Sequence, residues 1–316
     1  MAAVLTRLAE DEISTGSITA ELVRALAKTL GRRYGRSFRT PGAALRVALS
    51  ALELEPESAV ALSALAPAWV SAAVDDCGLS AIRLDVTESA PVVNAAAIIE
   101  SGAAVAFVED RLGYTSDAEA LRKAGIAIVH DATELLSTAV AEASPSDYTL
   151  CVLEADRSVT TGGGAAILAS SSKRQAALSA AVATNADAFE LSDMNSALGI
   201  SRLRSGAADE ARNAEIFAAF CDAVDGSDHN PVYAQPDRTV PTLFGLLVHG
   251  SPKVVRDYCL QQGVQTELVF DQAPEIDAAV YPHAARWRSN TVRFPFYPTL
   301  SHAEQAIVQR VLATLP

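Results

Sequence analysis

Short, nearly continuous apolar runs alternate with amphipathic segments along the first two thirds of the chain. The segments 17–31 and 42–53 place leucines at helical spacing and predict two helices. The apolar runs carry β-branched residues, as strands buried on both faces do, and predict strands at 81–86, 103–109, 125–130, 148–154 and 165–169. The segments between these strands are long enough for crossover helices. The pattern therefore predicts an α/β fold with a mostly parallel sheet covered by helices.

The pattern changes after Ser205. A helix is predicted over 207–224, followed by the polar, proline-containing segment 225–237. A last helix is predicted to begin at Ser301, which forms a capping box with Glu304. Between them the sequence predicts strands near 242–248, 265–270 and 291–295 and a helix over 252–262. We therefore expect a large domain over residues 1–206 and a small α+β domain over 207–316, linked by helix 207–224.

Composition and charge exclude several classes of protein. Half of the 316 residues are hydrophobic, which suits a packed core, and the net charge of −13 disfavours nucleic-acid binding. The longest uncharged run, 58–74, is too short to span a bilayer and is interrupted by Ser63, Pro67 and Ser71, and the first dozen residues show no secretory signal. Four widely spaced cysteines are expected to be free thiols of a cytoplasmic protein: Cys77, Cys151, Cys221 and Cys259.

The sequence offers few ligand clusters. Asp225, Asp228 and His229 share one polar segment, but their spacing matches no calcium loop. The five histidines show no HxxxH pair, so no metal site is predicted. His130 precedes Asp131 on a predicted strand, where adjacent side chains point to opposite faces, and a structural role is expected for it. The charged triplet 109–111 is interpreted as a solvated strand end.

Six segments carry recognisable motifs in chain order. They are TGSITAELVRALAKTLG (15–31), PGAALRVALSALELEP (41–56), GIAIVHDAT (125–133), RSVTTGGGAAILA (157–169), DMNSALGISRL (193–203) and VRFPFYPTLSHAEQAIV (292–308). In this order they resemble the DegT-type (DegT/DnrJ/StrS) sugar aminotransferases, which depend on pyridoxal phosphate (PLP). The resemblance implies the fold-type-I architecture of PLP transferases such as aspartate aminotransferase. This architecture has a large domain with a mixed seven-stranded sheet and a small C-terminal domain, and it forms a homodimer with sites at the subunit interface.

The resemblance also identifies a missing residue. In the family, a lysine three residues before T-T-G forms the Schiff base with PLP and then acts as general base. Here that position is Arg157. A guanidinium stays protonated, with a pKa of about 12 or higher, and cannot form the imine. The other lysines of the chain lie on predicted helices or beside loops far in sequence from this turn: Lys28, Lys123, Lys173 and Lys253. No catalytic residue is therefore assigned.

The residues that would hold the cofactor phosphate are changed as well. The resemblance places Gly42 and Ala43 at the family's S-G-T, with alanine for threonine, and Val152 at a serine. It places Ala188 near an asparagine from the neighbouring subunit and Glu190 near an arginine, where a carboxylate would repel phosphate. Each lost donor to a phosphate removes about 1.5–3 kcal/mol. No tightly bound cofactor is therefore expected, and weakened binding of PLP or its amine form (PMP) stays open.

Two cofactor-binding features of the family are kept. Asp131 lies where an aspartate pairs with the pyridine nitrogen, and Trp69 lies where an aromatic ring stacks on the cofactor. Glu134 belongs to the same candidate site. Each of the first two has a structural alternative, because Asp131 could cap a helix at D-A-T-E and Trp69 could be part of the core. Arg157 could bind a phosphate or carboxylate, or it could pair with Glu134 or Asp156.

The leading hypothesis is a pseudoenzyme or repurposed family member that keeps the fold and a dimer but does not carry out transamination. It would support an active paralogue in a heteromer, or bind a nucleotide-sugar-like ligand. Sugar or secondary-metabolite biosynthesis is the setting that the family implies. The alternative is an aminotransferase or dehydratase of a keto sugar, or of its nucleotide conjugate, that holds PLP or PMP non-covalently through Asp131 and Trp69. A purely structural subunit is a third possibility.

Overall fold

A seven-stranded sheet forms the centre of the larger part of the molecule. The computed structural model describes residues 15–137, 145–185, 189–234 and 240–316. The strands of this sheet are β1 (Tyr34–Phe38), β2 (Ala59–Ser63), β3 (Ser80–Leu84), β4 (Val105–Glu109), β5 (Ala127–Asp131), β6 (Tyr148–Val152) and β7 (Ala165–Ala169). Their spatial order is β1-β7-β6-β5-β4-β2-β3. Strand β7 is antiparallel to both of its neighbours and the other pairings are parallel, which confirms the expected mixed sheet.

Helices cover both faces of this sheet, as its apolar strands require. Strands β4, β6 and β7 are buried at every position, and apolar residues on both faces favour that burial. The helices in this part of the chain are α1 (Ser17–Thr29), α2 (Pro41–Ser50), α3 (Ala68–Asp76), α4 (Ala95–Glu100), α5 (Ala118–Lys123) and α6 (Ser172–Thr184). Leucines of α1 pack on one face in a cluster with Leu168, and α2, α3 and α6 pack on the other face around Phe107.

One long helix connects the large sheet to a smaller one. Helix α7 (Asp193–Val224) runs unbroken for 32 residues, so it contains the helix predicted over 207–224 but begins earlier, at Asp193. It contacts α1 near its start and α10 (His302–Leu312) near its end, and this packing overrides the weak helix propensity of Gly206. The domain boundary expected at 206/207 falls inside this helix.

The smaller sheet is antiparallel, in the order β10-β11-β9-β8. Its elements are β8 (Asn230–Pro231), β9 (Phe244–Leu247), α8 (Pro252–Gln261), β10 (Glu267–Leu268), α9 (Pro282–Asn290) and β11 (Thr291–Phe294). The strand expected over 265–270 is thus only two residues long, and β1, β2, β8 and α9 were not predicted. Ser301 and Glu304 form the expected capping box at α10. Among the described helices, none combines the length and the apolar composition needed to cross a bilayer.

Candidate functional site

Four parallel strands of the large sheet end at one edge, and several motif residues lie there. Strands β2, β4, β5 and β6 are parallel neighbours, so their carboxyl ends meet at this edge. Glu109 ends β4 and lies opposite Asp131, which ends β5. Arg157 follows in the turn between β6 and β7. In open α/β sheets this carboxyl edge is where ligands bind.

Charged side chains are buried at this edge. Four carboxylate side chains are at most 7% exposed: Glu109, Asp110, Asp131 and Glu134. Arg111 forms an ion pair with Glu109 inside the cluster. The interpretation of 109–111 as a solvated strand end is therefore wrong. The chain turns back over these residues, with Leu112 fully buried, and a turn formed by such distant contacts leaves no signal in the local sequence.

Burial and neighbouring charges shift several pKa values in this cluster. Burial raises the pKa of Glu109 and raises that of Glu134 to about 7, while the Arg111 guanidinium acts in the opposite direction on both. Burial alone would lower the pKa of His130. The Asp110 carboxylate, 2.8 Å from Nε2, outweighs this, and the pKa of His130 lies above its ordinary value. The expected structural role of His130 is thus to pair with Asp110.

Asp131 is held by the turn that follows it. Its Oδ1 accepts hydrogen bonds from the backbone N–H of Thr133, at 3.0 Å, and from the Thr133 hydroxyl. This caps the 3₁₀ turn Thr133–Ser137, which is the structural alternative expected for Asp131. Its Oδ2 makes no hydrogen bond to the residues that the structure describes. A cofactor-binding role for Asp131 stays a prediction.

Trp69 lies at the start of α3 and is partly buried against the core. Its ring meets that of Phe107 edge to face, with 6.4 Å between ring centroids. Phe107 and Glu109 alternate with Val108 along β4, so they lie on the same face of the sheet. Trp69 is thus part of the core, and its stacking on a cofactor stays a prediction.

Arg157 forms an ion pair with the acidic residue that precedes it in the turn. Its Nε lies 3.5 Å from Asp156 Oδ1, so Asp156 is one of the two ion-pair partners expected for it. The second oxygen of Asp156 lies 3.8 Å from Arg293 of β11, which in turn pairs with Glu267. Arg157 Nε is buried and has no hydrogen-bond partner in the described part of the chain. This link to the smaller sheet was not predicted from the sequence.

The N-terminus of α2 differs from the phosphate cradle that the resemblance implies. The hydroxyl of Thr40 accepts the N–H of Ala43 at 3.2 Å and so caps the helix. A Cβ atom at Gly42 would meet nothing within 4 Å, so packing does not require glycine there. Glu190 pairs with Arg36 at 3.0 Å, which offsets the repulsion expected from its charge. Ala188 lies outside the described residues.

The residues present do not fit a covalently held PLP. The four lysines of the chain are exposed and lie on α1, α5, α6 and α8, and Arg157 cannot form the imine. Asp131 Oδ2 is the one feature here that suits a pyridine nitrogen.

A protein family and several solved structures are similar to this chain. The sequence profile of the DegT/DnrJ/EryC1/StrS aminotransferase family matches residues 1–314. The PMP form of Spr1654 from Streptococcus pneumoniae is 16% identical with a TM-score of 0.88, covering 99% of this chain and 93% of that one. PseC of Helicobacter pylori, an aminotransferase of pseudoaminic acid biosynthesis, is 13% identical with a TM-score of 0.85, covering 98% and 94%.

A third structure gives the same result. The sugar aminotransferase CalS13 of Micromonospora echinospora is 19% identical with a TM-score of 0.80, covering 99% of this chain and 95% of that one. At such identities the structural similarity shows the fold alone. No curated protein sequence is similar enough to this chain to count as a match.

Proposed function

The chain belongs to the DegT/DnrJ/EryC1/StrS aminotransferase family, and we propose that it is a member that does not carry out PLP-dependent transamination. The proposal rests on the position of arginine and lysine residues. The turn after β6 carries Arg157 rather than a lysine, and every lysine of the chain is exposed on a helix. Without an amine at this edge, the chain has no group that could hold the cofactor covalently or take a proton at neutral pH as an amine would.

The charge balance of the site supports the same conclusion. Arg111 pairs with Glu109, and the charge of Arg157 stabilises the ionised forms of Glu109 and Glu134. The chain's own guanidinium groups thus supply positive charge to the buried carboxylates. A cationic cofactor ring is not needed to balance them.

The proposed role is that of an accessory or ligand-binding protein. The chain retains the fold of the family over its whole length, which supports a role that depends on shape rather than on an amine. Pairing with an active paralogue or with a second copy of itself is one such role. Binding of a nucleotide-sugar-like molecule at the carboxyl edge of the sheet is another.

One observation favours a second candidate function. Asp131 Oδ2 makes no hydrogen bond to the described residues, and Trp69 lies on the same face of the sheet. These two residues would suit non-covalently held PLP or PMP, used by an aminotransferase or dehydratase of a keto sugar or its nucleotide conjugate. PMP needs no lysine for its attachment, so this candidate does not require the missing amine.

The test is to locate any lysine that reacts with PLP. The purified protein is incubated with PLP, reduced with borohydride and digested, and mass spectrometry maps the labelled lysines. We expect weak labelling, confined to the exposed lysines Lys28, Lys123, Lys173 and Lys253. We also expect no cofactor absorbance after gel filtration of the unreduced sample. Stoichiometric PLP in the unaltered protein would overturn the proposal, and retained PMP without a lysine adduct would favour the second candidate.

Arg157→Lys is the matched variant, because it places an amine in the turn and preserves the positive charge. We expect it to bind PLP weakly as well, since Ala43 and Glu190 still replace donors to the phosphate. A stoichiometric adduct at position 157 would show that only the amine had been lost. That result would refute the loss of phosphate binding but not the lack of activity in the natural sequence.

A further inference from the structure

The connections of the large sheet change direction between β2 and β4. From β2 the chain passes through α3 to β3 on one side, and from β4 it passes through α5 to β5 on the other side. Helix α3 packs on the face of the sheet that carries Phe107, whereas Leu121 of α5 packs on the opposite face with Ile128. The β2–β4 pair is therefore the topological switch point of the sheet, where open α/β sheets form a crevice for ligands.

Strands β2 and β4 separate early and leave a crevice at their carboxyl ends. Only two residue pairs of these strands are in register, the last being Ala61 with Ala106, whereas β4 and β5 pair over five positions. Beyond Ala61 and Ala106 the strands continue to Ser63 and Glu109. A cavity of about 10 Å³ lies between these two ends. This volume is enough for one water molecule and for nothing larger.

Three polar side chains interrupt the apolar lining of this cavity. The ends of the two strands and the segment 91–98 supply the apolar part. The polar side chains are Ser63 of β2, Glu109 of β4 and Ser116, which precedes α5. Ser63 and Glu109 are only 8% and 6% exposed, so bulk water does not solvate them freely.

Each of these side chains has unused hydrogen-bonding capacity. Oε1 of Glu109 accepts from Arg111, but the described part of the chain provides no hydrogen bond to Oε2. Ser63 Oγ accepts the N–H of Leu65 at 3.0 Å, and its own O–H has no acceptor among the described residues. The Ser116 hydroxyl makes no hydrogen bond to those residues either. Because buried polar groups are nearly always hydrogen-bonded, the three side chains indicate a small polar ligand between them.

Water fits this set of groups better than a cation or an apolar molecule. A cation would add positive charge beside Arg111, which already pairs with Glu109. An apolar molecule would leave the carboxylate and the hydroxyl groups without partners, and cavities that stay dry have apolar walls. A water molecule can donate to Glu109 Oε2 and accept the Ser63 O–H, and it can accept from Glu109 instead when the carboxyl group is neutral.

We propose that the crevice between β2 and β4 is a binding site for one ordered water molecule, held by Glu109, Ser63 and Ser116. This water gives the buried Glu109 side chain a hydrogen-bond partner in addition to Arg111. It also bridges the ends of two strands that no longer pair with each other. The site does not depend on the function proposed above, because the fold and these three side chains alone define it.

A crystal structure of the full-length natural protein, at a resolution that shows ordered water, tests the site directly. We expect one density peak within hydrogen-bonding distance of Glu109 Oε2 and of at least one of the two serine hydroxyl groups. An empty crevice, or one filled by protein atoms, would overturn the proposal. A peak whose height and short contacts identify a metal ion would overturn it as well.

Magnetic relaxation dispersion of water nuclei provides a second test in solution, because it counts long-lived internal water molecules. Ser63→Val removes one hydrogen-bonding group and fills the crevice with methyl groups, and we expect it to lose a single long-lived water molecule. Ser80→Val changes an exposed serine at the start of β3 and is the matched control, which should keep the natural count. An unchanged count in folded Ser63→Val would contradict the proposal, and the crystal structure of the natural protein decides the question if this variant does not fold.

Discussion

Replacing Arg111 by methionine should destabilise the protein strongly. The guanidinium pairs with Glu109, and the two side chains are only 15% and 5% exposed. Methionine fills similar space without charge, so Glu109 is left in the core without its counterion. Breaking a buried ion pair in this way costs about 3–5 kcal/mol. Arg122, which pairs with Glu119 on the exposed face of α5, provides the control, and its replacement should cost about 0–0.5 kcal/mol.

Urea unfolding followed by circular dichroism at pH 7.5 measures both free energies of unfolding. A second variant separates the effect of the unpaired Glu109 charge from the other effects of replacing Arg111. Arg111→Met combined with Glu109→Gln removes this charge and should recover part of the lost stability. A loss of stability in Arg111→Met no larger than that in Arg122→Met would contradict the role of the buried ion pair. A double variant less stable than Arg111→Met alone would contradict it too.

The loss caused by Arg111→Met should grow with pH. Arg111 opposes the effect of burial on the pKa values of Glu109 and Glu134, so these values should rise further in the variant. A carboxyl group whose pKa is higher in the folded state binds more protons there than in the unfolded chain. Its contribution to stability is therefore lost as the pH rises. The same unfolding experiment at pH 5.5 and pH 8 should show the larger deficit at pH 8, and an equal deficit would contradict this assignment.

Further predictions concern the structure around the site, each measured by urea unfolding. Asp193→Ala removes the acceptor of three backbone N–H groups at the start of α1 and of the Thr19 hydroxyl, and should cost about 2–4 kcal/mol. Hydrogen bonds lower the pKa of Asp193 despite its burial, so this deficit should shrink as the pH falls toward that pKa. Gly164→Ala, at φ 111° with its Cβ 2.7 Å from the Phe38 carbonyl oxygen, should cost more than about 2 kcal/mol, whereas Gly42→Ala should be neutral or slightly stabilising. Ser301→Ala should cost about 1 kcal/mol, and an unchanged stability would contradict the capping box.

The large sheet could be predicted from the sequence where its strands are buried on both faces. The runs 103–109, 148–154 and 165–169 contain β4, β6 and β7, because a strand covered by helices on both sides must be apolar at every position. Strand β1 is an edge strand of mixed composition, so its pattern resembles a loop. Strand β2 lies at the start of the uncharged run 58–74, where apolar residues continue beyond Ser63 and no charged residue marks its end.

The smaller sheet and the long helix depend more on distant contacts. Strand β10 has two residues, and its place is set by pairing with β11 rather than by its own sequence. The sequence pattern changes after Ser205, and the helix was predicted to begin only at residue 207. The continuous helix is instead fixed by packing against α1 at one end and α10 at the other, contacts that join residues far apart in sequence.

The motifs of the sequence identified some residues of the candidate site. The others are brought to the site by contacts between distant parts of the chain. The resemblance pointed to Asp131, Glu134 and Arg157, and the structure places the first two in the buried cluster and the third in the adjacent turn. The resemblance did not indicate that Asp110 and Arg111 are buried in the site, because consecutive charged residues after a strand usually face solvent. Their burial is created by a turn whose outer contact lies about 120 residues further along the chain.

The buried charges also indicate what the guanidinium of Arg157 contributes to the site. A pocket that holds several carboxylates requires positive charge nearby, or its acids become neutral. Arg111 supplies this charge from within the cluster, and Arg157 adds to it from the turn while it remains paired with Asp156. Arginine at position 157 therefore adds positive charge beside the buried carboxylates but cannot form an imine. A neutral residue at position 157 would remove this charge and should raise the pKa values of Glu109 and Glu134 further.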